Sequence, residues 1–281
     1  YMGMLCYCNG ALAREHIRNE INQKYDKKKG DWTKFDGILD KAKPMNGKLE
    51  VGIYFPIGEI IPNAKPCERR FKFDLGNKEV LEISKDDSQW TVEEDVAAII
   101  ESQALSCRLR VGPMIANTEN FSGEELSDLH SSDYKQSKML KGRHDLDVLK
   151  KLTDRYGDIK SDGSYQHPLA LVSKPNKVFF VGGSSQNLSI VRKYCSILGA
   201  QQGNFRIDLS DACALGGCYK SLWSYSVEKE GFKTVHSYDK WLAENYNWDD
   251  YVDQVDKYND LWDEYVDGVG ILSVAEQRLE Q

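Results

Sequence analysis

The alternation of element types between residues 177 and 226 constrains the fold more than anything else in the chain. An apolar run at 177–181, too short for a helix, meets Gly182 and Gly183, and a helical pattern then covers 186–198. A second short run at 204–207 leads into a second helical stretch at 212–226. Strands and helices exchanged at this spacing predict an α/β domain. No fixed-period repeat competes with that reading.

The earlier sequence extends the pattern. Residues 2–8 read as a strand and Ala11–Gln23 as an amphipathic helix. Asp31 is a suitable helix N-cap, followed by Trp32, Phe35 and Leu39 on one face. Val51–Phe55 reads as a strand running into Pro56, and the charged, alternating stretch from Arg69 to Ser84 as a hairpin near a sheet edge. Thr91 and Glu94 have the spacing of a capping box, and the helix they open carries Val92, Val96, Ile99, Gln103 and Cys107 on one stripe. From 117 to 164 apolar residues thin out, predicting a surface excursion with one helix at 145–156. Near the end, Tyr251, Val255, Tyr258, Trp262 and Tyr265 recur at helical spacing, predicting a helical tail at 236–281 packed on a domain of residues 1–235.

Composition removes several function classes. The net charge is −7, which argues against a nucleic-acid partner. No apolar run approaches the ~18 residues a membrane helix needs. The seven cysteines are odd in number and form no CxxC pair, as expected of a reducing, cytoplasmic compartment. The five histidines show no HExxH spacing, and no metal ligands are assigned. The chain opens on Tyr1 without a signal-peptide layout and reads as a piece of a longer protein.

The stretch "VGGSSQN" (181–187) admits two readings. Glycines at the end of a buried strand let the backbone approach a ligand, and the next helix offers unpaired N–H groups to a polar one. A serine N-cap after a glycine turn explains the same residues without a ligand. Neither GxGxxG nor GxxxxGK[ST] is present.

Six segments in order resolve more than any one alone: "YMGMLCYCNGALARE" (1–15), "GIYFPIGEIIP" (52–62), "AAIIESQALSCRLR" (97–110), "VGGSSQN", "GNFRI" (203–207) and "CALGGCYKSLW" (213–223). Together they resemble the carboxyl-terminal half of FGGY-type carbohydrate kinases, over nearly all of the chain and most weakly in 117–164 and after 235. The resemblance implies an actin-like (ribonuclease H-like) ATPase domain and transfer of the ATP γ-phosphate to a sugar hydroxyl, D-xylulose foremost, with Mg²⁺. It implies that a sugar-binding amino-terminal half completes the enzyme and that residues 1–281 alone are inactive. Gly182, Gly183, Ser184 and Asn187 match the adenosine loop, and Trp32 an aromatic position near the nucleotide, where stacking on adenine and plain packing both remain open. Gly58, Glu59 and Pro62 match a loop that shapes the domain interface, with Glu59 read as a structural salt bridge or a cap ahead of a catalytic group. Glu101 lies mid-helix in a second signature, and Ala214, Gly216 and Gly217 allow close approach near the site. No residue matches the family's catalytic Asp, expected upstream of Tyr1, so none is assigned. A non-catalytic nucleotide-binding scaffold or sensor is the alternative.

Overall fold

A computed structural model of the chain describes residues 3–77, 79–84, 90–115, 173–209, 211–231, 237–247 and 251–279. The expected excursion at 117–164, with its helix, lies outside the described residues.

Helix α1 spans Gly10–Lys24 and buries two adjacent rows, apolar Ala13, Ile17 and Ile21 and polar Arg14, Arg18 and Asn22. Helix α2 (Thr33–Leu39) follows, its first turn held by the Asp31 carboxylate accepting the Thr33 N–H at 2.9 Å. Phe35 and Leu39 are its buried anchors. A tight turn at Pro44–Gly47 leads to three antiparallel strands, β1 (Glu50–Phe55), β2 (Cys67–Asp74) and β3 (Glu79–Ile83), in the order β1-β2-β3. The charged alternation of 69–84 thus forms the expected hairpin, with β3 on the outside of the sheet.

Helix α3 (Val92–Ile115) is the axis of the structure, packed against α1, α2 and β1. At its start the Glu94 carboxylate accepts from the Thr91 N–H at 2.6 Å and from the Thr91 hydroxyl at 3.1 Å. That is the reach-back half of a capping box, which satisfies an N–H the helix itself cannot. After 172 come β4 (Val178–Val181), α4 (Leu188–Leu198) and β5 (Asn204–Ile207), a parallel β–α–β unit with Val178 opposite Asn204 and Val181 opposite Ile207. Parallel pairing requires such a crossover, and the α4 helix supplies it. Helices α5 (Ala212–Glu230) and α6 (Tyr238–Asn245), strand β6 (Val252–Gln254) and helix α7 (Val266–Gln277) complete a mixed α/β fold.

Two apolar clusters flank α3. One joins β1 and β2 to α7 through Val51, Ile53, Phe71, Phe73, Leu105, Leu109 and Leu272. The other joins α1 and α2 to α3 and α4 through Ile17, Ile21, Phe35, Leu39, Val96, Ile99 and Ile190.

Two expectations are corrected. The described part of 2–8 is not a strand: residues 3–8 are irregular, and the N–H groups of Cys8 and Asn9 go to the Glu59 carboxylate instead of a ladder. The stripe from Tyr251 to Tyr265 is not helical. Its start adds to the second sheet as β6, antiparallel to β5, and Val255 N–H continues the pairing to the Asn204 carbonyl at 2.9 Å. Lys257 then turns at φ 59°, and the helix begins only at Val266. Val255, Trp262 and Tyr265 are buried all the same. Aromatic and branched residues suit a strand beside an open edge as well as a helix stripe, and the β5 edge won.

Candidate functional site

Strand β4 ends at Val181, and the chain turns at Gly182 with φ 90° and ψ −174°, a conformation that favours glycine. The Gly182 carbonyl accepts the Ser185 N–H at 3.0 Å and the Ser185 hydroxyl at 2.7 Å, closing the turn over Gly183–Gln186. A Cβ placed at Gly182 or Gly183 meets no described atom within 4 Å, so among the described residues the outer face of the turn is open at these two positions. Asn187 caps α4, its side-chain oxygen accepting the Ile190 N–H at 3.0 Å. Its Nδ2 donates to the Asp36 carboxylate at 2.8 Å, tying α2 to the turn. Burial holds the Asp36 carboxyl above its ordinary range, against the opposing effect of that hydrogen bond. Asn187 thus has both ends of its amide engaged within the protein.

Helix α1 approaches the same turn from the other side. Arg14 donates from Nη2 to Ser184 Oγ at 2.7 Å and from Nη1 to Gln103 Oε1 at 2.7 Å. One turn on, the Arg18 guanidinium lies 4.6 Å from the centroid of the Trp32 ring. Trp32 is half-buried and meets Phe35 edge-on, with centroids 5.1 Å apart. It is therefore braced by packing without being enclosed. The Arg14–Ser184 and Asn187–Asp36 bonds bring α1, α2 and the turn to one place.

Glu59 acts as a cap, as its local sequence suggests. It is buried, and its carboxylate accepts the backbone N–H groups of Cys8, Asn9 and Ile60 at 2.8, 3.2 and 2.8 Å, together with Asn9 Nδ2 at 3.1 Å. Four donors converging on one carboxylate leave it a structural anchor between the Gly58–Pro62 loop and the start of α1. Glu101 is likewise a tie between elements. It accepts the Met45 N–H at 3.1 Å and the Tyr265 hydroxyl at 2.5 Å, and its carboxylate lies 3.5 Å from Lys193 Nζ. Burial raises its carboxyl above the usual range even so.

Between α1, β1, α3 and α4 lies a cavity of about 330 Å³, lined by Tyr7, Asn9, Arg14, Tyr54, Gln103 and Tyr194 among others. Gly216 and Gly217 face no described atom within 4 Å, and α5 buries no residue, so neither close packing nor a site contact is realised there among the described residues. Among the described residues no group of three or more His, Cys, Asp or Glu side chains could hold a metal ion. No described helix is long and apolar enough to cross a membrane, and all seven cysteines are free thiols.

Arg14, Asp36 and the tie made by Gln103 were not singled out as site residues from sequence. The usable signal was the four-residue recurrence Arg14, Arg18, Asn22 beside the apolar row Ala13, Ile17, Ile21. Taken alone it describes an ordinary solvated helix face, and only the elements packed over it make it a buried polar row.

No family model matches the chain. Sequence comparison finds relatives among proteins named xylulose kinases. The chain is 36% identical to the xylulose kinase of Saccharomyces cerevisiae over 255 residues, 88% of this chain and 37% of that protein. It is 29% identical to a probable D-xylulose kinase A of Aspergillus fumigatus over 262 residues, 91% of this chain and 36% of the other. With the xylulose kinase of Schizosaccharomyces pombe it shares 28% over 254 residues, 89% of this chain and 34% of the other. The chain is similar to these fungal xylulose kinases over most of its own length, and it spans little more than a third of theirs.

Proposed function

We propose that this chain is the nucleotide-binding part of an ATP-dependent carbohydrate kinase whose acceptor is D-xylulose, made into D-xylulose 5-phosphate in the cytoplasm. The observation that carries the reading is the open turn at Gly182–Gly183 between β4 and α4, in a chain whose relatives are named for this reaction. A nucleoside can lie against backbone that carries no Cβ, and the amino-terminal end of α4 favours negative charge. Gly182 and Gly183 form the floor of the site, Ser184 offers a hydroxyl, Asn187 fixes the start of α4, and Trp32 presents an aromatic surface nearby.

Within this proposal the fold is actin-like, with residues 1–235 as the ATP-binding domain and 236–281 as a tail packed on it. The sugar is held mainly by an amino-terminal half. Mg²⁺ offsets phosphate charge in such transfers. The described residues offer it no ligand cluster, so no step is assigned to it on this chain. The test is an assay of the intact gene product with ATP·Mg²⁺ and a panel of ketopentoses. ATP-dependent phosphorylation with D-xylulose as the best acceptor is expected. A protein that binds ATP and phosphorylates no sugar would instead be a scaffold or sensor.

A further inference from the structure

We propose that Arg14 is a positioning residue for the nucleotide turn, acting through Ser184 and itself aimed by Gln103. The inference rests on the nucleotide reading of the turn and adds to it the group that holds the turn in its binding shape.

Ser184 is exposed on the turn, whereas the side chain that reaches it is buried: Arg14 retains 9% of its accessible surface. Among the described residues no carboxylate pairs with Arg14. Its two strong hydrogen bonds go to neutral oxygens, Ser184 Oγ and Gln103 Oε1, both at 2.7 Å. A buried cation is costly unless its donors are satisfied, so these two bonds define where the guanidinium can sit.

Gln103 fixes the direction. Its Nε2 donates to the Gly10 carbonyl at 2.9 Å and to the Asn9 carbonyl at 3.4 Å, which leaves Oε1 facing Arg14. The Tyr194 hydroxyl adds a second donor to the same oxygen at 3.3 Å. With Nη1 held there, the planar fork directs Nη2 at Ser184. The same contacts lead back to Asn9, whose N–H and side chain are held by Glu59. A continuous polar route therefore joins the Gly58–Pro62 loop to the nucleotide turn along one wall of the cavity.

The turn needs such a hold. Among the described residues nothing lies within 4 Å of a Cβ placed at Gly182 or Gly183, and Gly182 imposes no rotamer or Cβ contact of its own. Losing the Arg14 donor should let Ser184 leave the shape that meets the nucleotide, weakening ATP by roughly fivefold or more, given the strength of hydrogen bonds from charged donors.

The experiment is a double-mutant cycle in the intact gene product, using Arg14→Met and Ser184→Ala, with ATP affinity read by calorimetry and ATP KM, sugar KM and kcat by turnover. Ser184→Ala removes the same bond from an exposed position and so guards against a misfolded Arg14 variant. The expected result is that each single change weakens ATP, Ser184→Ala at least as much as Arg14→Met because it also removes the hydroxyl, and that the double change binds no more weakly than Ser184→Ala alone. Sugar KM should stay within about twofold while ATP KM rises, a split that general loosening of the fold would not produce. Effects that multiply, or a loss confined to one of the two variants, overturn the positioning role and leave the nucleotide reading standing. A wild-type protein that does not bind ATP overturns both.

Discussion

Asp95 offers the sharpest stability test, because one buried carboxylate serves three partners from different elements. It is fully buried near the start of α3 and accepts from Tyr54 OH at 2.5 Å on β1, Arg70 Nε at 2.9 Å on β2 and Trp90 Nε1 at 2.8 Å. Arg70 Nη2 donates to its second oxygen, completing a two-pronged ion pair. Asp95→Ala would leave the Arg70 charge buried without this partner, which costs about 3–5 kcal/mol in comparable pairs. The stranded Tyr54 and Trp90 donors add about 1 kcal/mol each at the low end of the usual range, since water can enter the space the shorter side chain vacates. The expected loss of about 5–7 kcal/mol is a large share of the roughly 5–15 kcal/mol that holds a domain together. Asp95→Asn keeps an acceptor but drops the charge, and should cost about 3 kcal/mol. Arg70→Met combined with Asp95→Leu should recover much of the loss, since apolar replacement of a whole buried pair is often close to neutral. Urea unfolding of the four proteins measures this directly. An Asp95→Ala protein within about 1 kcal/mol of wild type would refute the reasoning.

Two further predictions concern Trp32 and pH. If the Trp32 ring stacks on the base, Trp32→Ala weakens ATP by roughly 1–3 kcal/mol and leaves sugar KM in place. Lower thermal stability with unchanged ATP affinity would make it a packing residue only. Burial holds the Glu101 carboxyl above its ordinary range in the folded state, so the folded protein binds this proton more tightly than the unfolded chain does. Its contribution to stability is then fully present below the ordinary carboxylate range and is lost as pH rises through the folded pKa. Stability measured against pH should contain that falling component, and Glu101→Gln should remove it. An unaltered pH profile in the variant would contradict the assignment.

Much of the fold is legible in the chain because its local signals agree with one another. The apolar row Ala13, Ile17, Ile21, the cap at Asp31, the Thr91–Glu94 pair and the glycine turn before α4 each specify their element within a few residues. The misreadings come where tertiary partners decide. Residues 3–8 have strand-like composition, but at the end of the run a carboxylate some fifty residues away takes the N–H groups of Cys8 and Asn9. The aromatic stripe from 251 has helical spacing alone, yet the open edge of β5 pairs with its start and draws it into a strand. The candidate site divides in the same way. The turn at 182–187 can be read from its glycines and its cap, whereas the buried role of Arg14 depends on Gln103 and Ser184, 89 and 170 residues distant. Such long-range pairings leave no local trace.

The most direct test of the nucleotide assignment is ATP affinity in a Gly183→Val variant of the intact gene product. Among the described residues a Cβ at this position meets nothing within 4 Å, so the substitution should leave folding largely intact while placing a branched side chain against the proposed nucleoside surface. Calorimetric titration with ATP·Mg²⁺ should show binding at least ~10-fold weaker than wild type, about 1.4 kcal/mol, with an unchanged melting temperature in the absence of nucleotide. Wild-type ATP affinity in the folded variant would contradict the account.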